Sequence, residues 1–353
     1  QRAAGTSQLQ LQPSRLGTRA SQHNQKPSRW IGSRQIGKMI VKPNCSIVIR
    51  AYNEGRHIGR LLKGIGQQTV KNVEVILVDS GSTDDTLDVA RRYGIKEVGI
   101  RPQDFTFGYS LNRGIAAASA DFIVIASAHV YPVYPDWLER LLAPFSDPQV
   151  GLAYGRQRGD AQTKFSEGQV FERWFPAQSQ SRQYHPFCNN ANTAIRRKLW
   201  QQHHYDETLP GLEDLGWAKW MMSRGHTLSY VAEAEVVHVH TETPRHVFNR
   251  YRREAMAFKR IFPQEHFHFW NFIGLFLSNT FCDNFHAARQ KKLAANLVSI
   301  LWFRFMQFYG TYSGYRQSGL LTWSLRETFY YPRGIKLPSG QPHQMRPIKY
   351  EKK

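Results

Sequence analysis

Acidic residues are absent from residues 1–44 and scarce in residues 245–353, which carry five against 18 Lys and Arg. Residues 45–244 hold 21 basic and 22 acidic residues, so the net charge of +20 comes from the two ends of the chain. Aromatic and basic residues interleave near the C-terminus in a way that fits single-stranded nucleic acid. The block with the organised pattern is neutral, however, and no nucleic-acid motif occurs, so no nucleic-acid partner is expected. Cysteine is rare: Cys45, Cys188 and Cys282 lack metal-ligand spacing. Their odd number argues against a disulfide framework and for a reducing, cytosolic setting. No uncharged apolar stretch reaches 18 residues, so a membrane-spanning helix is not expected. Residues 1–44 are rich in Gln, Ser and Arg and have no apolar h-region. They read as a disordered basic leader rather than a secretory signal, an Arg-rich transit segment being the alternative. The first βα turn, AYNEGRHIGR, lacks G-x-G-x-x-G spacing, which disfavours a nicotinamide dehydrogenase. There is no internal repeat.

What is present suffices for a large core: 353 residues, 41% hydrophobic and 13% aromatic. From Cys45 onward strands and helices alternate. CSIVIRA, VEVILVD, residues 96–100 and residues 121–126 read as strands; residues 57–66, 84–93, 109–118 and 136–145 read as helices. Repeated βα units imply a parallel, doubly wound α/β sheet with ligands at the carboxyl ends of its strands. The loops after Ala51, Asp79 and Ala126 would converge there. Residues 150–154 continue the core, residues 155–183 read as a long loop with a helical part, and residues 228–240 as a strand. Beyond Arg245 the text changes, with 22 aromatics in the 89 residues to Arg333. Residues 334–353 form a Pro-rich, flexible basic tail.

Chemistry-bearing residues sit at the strand ends. Asp79 closes a strand and opens DSGSTDDT, a carboxylate suited to base or ribose donors ahead of helix-terminal amides suited to phosphate; a capped turn explains the same text. Tyr52, Asn53 and Glu54 pose the same choice. Glu213 and Asp214 start a helical pattern, where acids serve either the helix dipole or, as a general base, a sugar hydroxyl. His238 and His240 lie two apart on a strand, so both point to one face, which suits a metal if a further ligand meets them.

The ordered set SIVIRAYNE, VEVILVDSGSTDDT, NRGIAAASADFIVIASAHVYP, PDWLERLL, NNANTAIRRKLW, LPGLEDLGWAKWMMSRG and the histidine strand resembles a family 2 glycosyltransferase over residues 45–253. The resemblance implies an inverting enzyme of bacterial surface polysaccharide synthesis with a GT-A, Rossmann-like fold, a doubly wound mixed sheet carrying a C-terminal helical, aromatic-rich extension. It implies a glycosyltransferase domain over residues 45–244, with a nucleotide half at about 45–130 and an acceptor half at about 131–244, followed by the extension at 245–333. Residue by residue, it assigns Ala51, Tyr52, Asn53, Glu54, Asp79, Ser80, Asn112, Arg113, Ser127 and Ala128 to the donor. Asp214 becomes the catalytic base with Glu213 beside it, and Asn190, Asn192 and Trp217 fall on the acceptor side.

One departure stands out. Where the family usually places a metal-binding Asp-x-Asp, this chain has Ser127, Ala128 and His129. Two carboxylates are exchanged for an imidazole, so a divalent cation held by His129 and His240, with His238 as fallback, is expected to be Mn²⁺ rather than Mg²⁺. A metal-independent site, its leaving group neutralised by Arg101, Arg113 or Arg156, stays open. The donor is expected to be a nucleotide sugar and the acceptor a saccharide or lipid-linked saccharide. The basic, aromatic C-terminal region suits a cytoplasmic membrane surface, giving a peripheral location, and equally a second subunit, leaving a homodimer open. Two other readings stay open: a catalytically degenerate scaffold of the same fold, and a nucleic-acid binder.

Overall fold

The computed structural model describes residues 42–317. The chain runs β1 (Cys45–Ala51), α1 (Gly55–Gly66), β2 (Val73–Asp79), α2 (Thr86–Arg91), β3 (Lys96–Gly99), α3 (Phe107–Ala116), β4 (Phe122–Ser127) and β5 (Val130–Pro132). It continues with α4 (Trp137–Leu142), β6 (Val150–Arg158), α5 (Phe165–Trp174), β7 (Gln180–Gln183), β8 (Asn192–Arg196), α6 (Arg197–Gln202), α7 (Glu213–Ser223) and β9 (Thr227–His238). Three helices close it: α8 (Pro244–Ile261), α9 (Phe269–Arg289) and α10 (Leu293–Arg316).

The strands form one sheet in the order β3-β2-β1-β4-β8-β6-β9-β5, with β7 also on β9. The βα repeats hold only for its first half: β3, β2, β1 and β4 are parallel. β8 then runs antiparallel to both β4 and β6, β6 parallels β9, and β5 is antiparallel to β9. The sheet is therefore mixed, as the family resemblance implied and strand-helix alternation did not. Hydrophobic periodicity marks where strands are and carries no record of which neighbour each meets.

β1 is buried on both faces, as its unbroken β-branched text requires. Ile47 and Ile49 enter a core layer with Ile58 and Leu61 of α1 and Trp137 of α4, whereas Val48 enters the opposite layer with Leu111 and Ile115 of α3 and Trp217 of α7. Gly114 lets α3 lie on the sheet: a Cβ there would stand 2.4 Å from Val48 Cγ1 and 2.7 Å from Val78 Cγ2. The stretch read as a long loop with a helical part contains that helix, α5, but also the end of β6 and the strand β7. Its signal is thin because β7 is an edge strand with three exposed residues of four.

α8 is capped by Thr243, whose hydroxyl accepts from His246 N–H, with Pro244 in the first turn. α10 crosses α8 closely because it presents glycines: a Cβ at Gly310 would lie 2.5 Å from Phe248 O, and one at Gly314 would strike Arg252 O. A buried pair locks α9 to α10, Arg304 donating Nε to Asp283 Oδ2 at 2.7 Å and Nη2 to Oδ1 at 3.0 Å. No described helix is long and apolar enough to cross a membrane.

Candidate active site

Register explains how distant motifs meet. Ala51 pairs with Asp79 across β1 and β2, and Arg50 with Ser127 across β1 and β4, so the three strand ends share one edge of the sheet. β5 leaves that edge and pairs with β9 so that Val130 opposes His238, and Val239 N–H donates to His129 O at 3.1 Å. His129 is thereby set against the histidine strand, 109 residues away in sequence from His238.

A cavity of about 360 Å³ opens at this edge. Ala51, Tyr52, Glu54, Ser80, Ser127 and His129 line it, all singled out in the sequence. Its other wall was not foreseen: Arg50 from β1, Phe105 and Phe107 ahead of and within α3, Glu242, and His246, Asn249, Arg250 and Arg253 from α8. The four α8 residues recur at spacings of 3, 1 and 3, one face of a helix, and that periodicity was the available signal. α8, placed by the sequence in an extension, is thus a wall of the cavity. The cations that face it are Arg50, Arg250 and Arg253. Arg101, Arg113 and Arg156 do not line it: Arg101 pairs with Asp104, Arg113 is exposed, and Arg156 approaches Glu235.

Asp79 is buried, its Oδ2 accepting from Gly81 and Ser82 N–H while Oδ1 has no hydrogen-bond partner. Asn53 sits at φ 56° and accepts from Thr83 N–H, shaping the loop rather than the cavity. Other sequence candidates lie inside the protein. Asn112 is saturated by Trp200 Nε1, Tyr205 and Glu207. Asn192 accepts from Trp137 Nε1 and donates to Arg156 and Ala234 carbonyls. Trp217 donates to His203 O, and Ala128 is core. Asn112, Asn192 and Trp217 thus spend their side-chain polar atoms on the protein's own groups, and Arg113 is exposed.

Glu213 and Asp214 begin α7 after Leu212, which takes a left-handed conformation at φ 53°. Both are buried, and neither lines the cavity directly. Arg50 connects them to it, donating to Glu213 Oε1 at 3.1 Å, where Asn190 Nδ2 also donates at 3.2 Å. Asp214 accepts from Asn190 N–H at 3.0 Å and Leu215 N–H at 2.8 Å. Burial, and next the charge of Glu213, push the Asp214 carboxyl up to about 7.

The histidines form a cluster. The rings of His129 and His238 stack at 5.0 Å, and those of His238 and His240 lie 4.0 Å apart. Each Nδ1 faces an oxygen: Glu54 Oε1 at 2.8 Å for His129, Gln157 Oε1 at 2.7 Å for His238, and Glu167 Oε1 at 2.7 Å for His240. In a neutral ring, donation from Nδ1 to that oxygen leaves the lone pair on Nε2. Nε2 of His238 and of His240 face each other at 2.9 Å, a repulsive meeting of lone pairs unless a proton or cation lies between them. One ligand atom from each of the three falls within 4.8 Å of the others. Burial, then the charges of His240 and His129, hold His238 well below its usual range, so it is neutral. For Glu167 burial raises the pKa, but His240 and Arg250 outweigh it and hold the carboxyl at about 2. At His129 burial acts downward and Glu54 prevails, raising it.

Residues 46–203 match the family model "Glycosyl transferase family 2", a span that ends before the acidic pair, His238 and His240. The chain is 28% identical over 221 residues to the O-antigen chain rhamnosyltransferase WbaN of Salmonella anatum, covering 59% of this chain and 70% of the relative. It is 29% identical over 218 residues to the O-antigen chain rhamnosyltransferase RfbN of Salmonella typhimurium strain LT2, covering 58% and 69%. Among solved structures its fold is similar to that of the mannosyltransferase PcManGT from Pyrobaculum calidifontis, solved with GDP-Man and Mn2+. That likeness has a TM-score of 0.53 at 18% identity and covers 77% of this chain and 86% of the other.

Proposed function

We propose that the chain, whose residues 46–203 match the family model, is a family 2 glycosyltransferase with a GT-A fold, an inverting enzyme of surface polysaccharide synthesis with Asp214 as general base. The donor is a nucleoside-diphosphate sugar, a 6-deoxyhexose such as rhamnose following the relatives' names, and the acceptor is a saccharide carried on a lipid at a membrane face. The observation that carries the reading is the buried acidic pair at the head of α7, in which Asp214 is tuned to about 7, the range a general base needs at neutral pH.

Asp214 takes the proton of the acceptor hydroxyl. The hydroxyl oxygen bonds to the anomeric carbon as the bond from that carbon to the diphosphate breaks on the opposite face, so no enzyme nucleophile is required. An acceptor reaches Asp214 only with a shift of the wall that Arg50 forms, which makes Arg50 and Glu213 the positioning pair. The buried, unpartnered Oδ1 of Asp79, next in sequence to the cavity-lining Ser80, suits an N–H or O–H of the nucleoside, and Tyr52 and Glu54 line the cavity. A divalent ion fits the one ring nitrogen that each of His129, His238 and His240 brings to the cluster, so these three would hold it; an all-nitrogen protein set favours Mn²⁺ over Mg²⁺. When bound, that ion supplies positive charge to the leaving diphosphate. Arg253, and Arg250 paired with Glu167 and Glu242, bring guanidinium groups to the cavity whether or not an ion is present.

The test is calorimetry of UDP-, GDP- and dTDP-linked sugars against purified protein, with and without Mn²⁺, for wild type and His129→Ala. Binding that requires Mn²⁺ and is lost in the variant supports the reading and identifies the donor class. Absence of binding to every donor overturns it in favour of a catalytically silent scaffold, the second reading, which the missing Asp-x-Asp favours.

A further inference from the structure

We propose that the α9–α10 hairpin is the surface by which this enzyme lies on an anionic lipid bilayer, with its aromatic face in the interface. The inference rests on the membrane-borne acceptor proposed above and adds the place of contact.

On α9, Trp270, Leu277, Phe281 and Phe285 are 78, 59, 73 and 52% exposed and share one stripe with Gly274. On α10, Val298, Leu301, Phe305 and Tyr309 are 76, 52, 39 and 42% exposed and recur at spacings of 3 and 4. The two stripes connect: the Phe305 ring lies 5.8 Å from that of Phe272 and 5.7 Å from that of Phe276, yet Phe305 stays partly in solvent. The inner faces of the hairpin contain Phe272, Ile300, Phe303 and the Asp283–Arg304 pair, with Phe305 and Tyr309 packing on Phe272 from the edge of the stripe.

Charge selects the occupant. In α9, α10 and their connection the single acid is Asp283, buried against Arg304. The exposed charges are Arg289, Lys291 and Lys292 at the turn and Arg316 at the far end of α10. A second copy brings the same basic rim, and residues 318–353 carry seven Lys and Arg against two acids, so both meet like charge. An anionic bilayer offers opposite charge and an apolar layer together, which is what an interfacial helix takes. The far side of α8 from its α10 contacts lines the cavity through His246, Asn249, Arg250 and Arg253, so the same helix joins the lipid-facing hairpin to the site.

The experiment is cosedimentation of the full chain with phosphatidylcholine vesicles, with and without 30% phosphatidylglycerol, alongside light scattering for molecular mass. Wild type is expected on the anionic vesicles, released by high salt. Trp270→Ser/Phe281→Ser/Val298→Ser is expected to lower the partition coefficient at least about tenfold, and Lys291→Glu/Lys292→Glu to lower it by about fivefold or more per residue, each with transfer to a water-soluble acceptor unchanged. The Lys variants stay informative if the apolar triple variant fails to fold. No binding, binding that both variants retain, or a mass that falls from dimer to monomer in the triple variant without vesicle binding would each overturn the proposal. Vesicle binding by a protein that binds no nucleotide sugar would sink the proposed function and leave this surface standing.

Discussion

Replacing Asp214 by Asn separates the chemistry of the site from its electrostatics. The folded-state pKa of Asp214 rises from 3.8 to about 7, first through burial and then through Glu213. Three units at about 1.4 kcal/mol each mean that holding Asp214 ionised in the fold costs roughly 4 kcal/mol. Between about pH 4 and pH 7 the folded chain keeps a proton that the unfolded chain has released. Stability from this group is therefore full below pH 4, declines as pH rises to about 7, and is constant above. Asn carries no such cost, but it can accept only one of the two N–H donors, Asn190 or Leu215, and its own amide confronts the other, a loss of about 1–3 kcal/mol. The variant is expected to be more stable than wild type by about 1–3 kcal/mol at pH 8.5 and less stable by a similar amount at pH 4. Urea unfolding at the two pH values reads this directly. Turnover, followed as nucleoside diphosphate release, is expected to fall about 10³-fold, and wild-type kcat/KM to rise with pH through an apparent pKa near 7. An equal stability difference at both pH values would refute the ionisation cost, and unchanged turnover would refute the base.

Glu167→Gln, which weakens the acceptor that orients His240, is expected to lower Mn²⁺ affinity by about 10–100-fold in calorimetry, as is His238→Ala; unaltered affinity in both would remove the cluster as a metal site. Arg304→Met leaves Asp283 buried without its cation and is expected to destabilise by about 3–5 kcal/mol in urea, with most of the loss recovered by Asp283→Leu in the same chain. Failure of the double variant to recover would mean that packing rather than charge is at stake. Gly155→Ala places a Cβ 2.4 Å from Asn192 Nδ2 and into the Ala234 carbonyl, so a loss of about 3 kcal/mol is expected by thermal or chemical unfolding, and a neutral result would show that β6 and β9 can separate there.

The sequence by itself determined the elements whose signal is local. β1, β2 and β4 were legible because apolar, β-branched runs buried over most of their length have no alternation to obscure them. That Ser80, Glu54 and His129 would gather at one edge was legible because strand ends in a wound sheet deliver their loops there, and all three line the cavity. Tertiary structure alone decided the rest. Asn112, Asn192 and Trp217 look the same in sequence whether their polar atoms meet a substrate or the protein's own carbonyls and indoles, and only packing showed the latter. The cavity wall from α8 came from a segment whose aromatic, basic text announced surface, because a helix with one face on the site and another on α10 mixes both signals. The meeting of His129 with His238 and His240 required β5 to turn back antiparallel onto β9, and pairing direction is a property of the sheet that no single strand encodes.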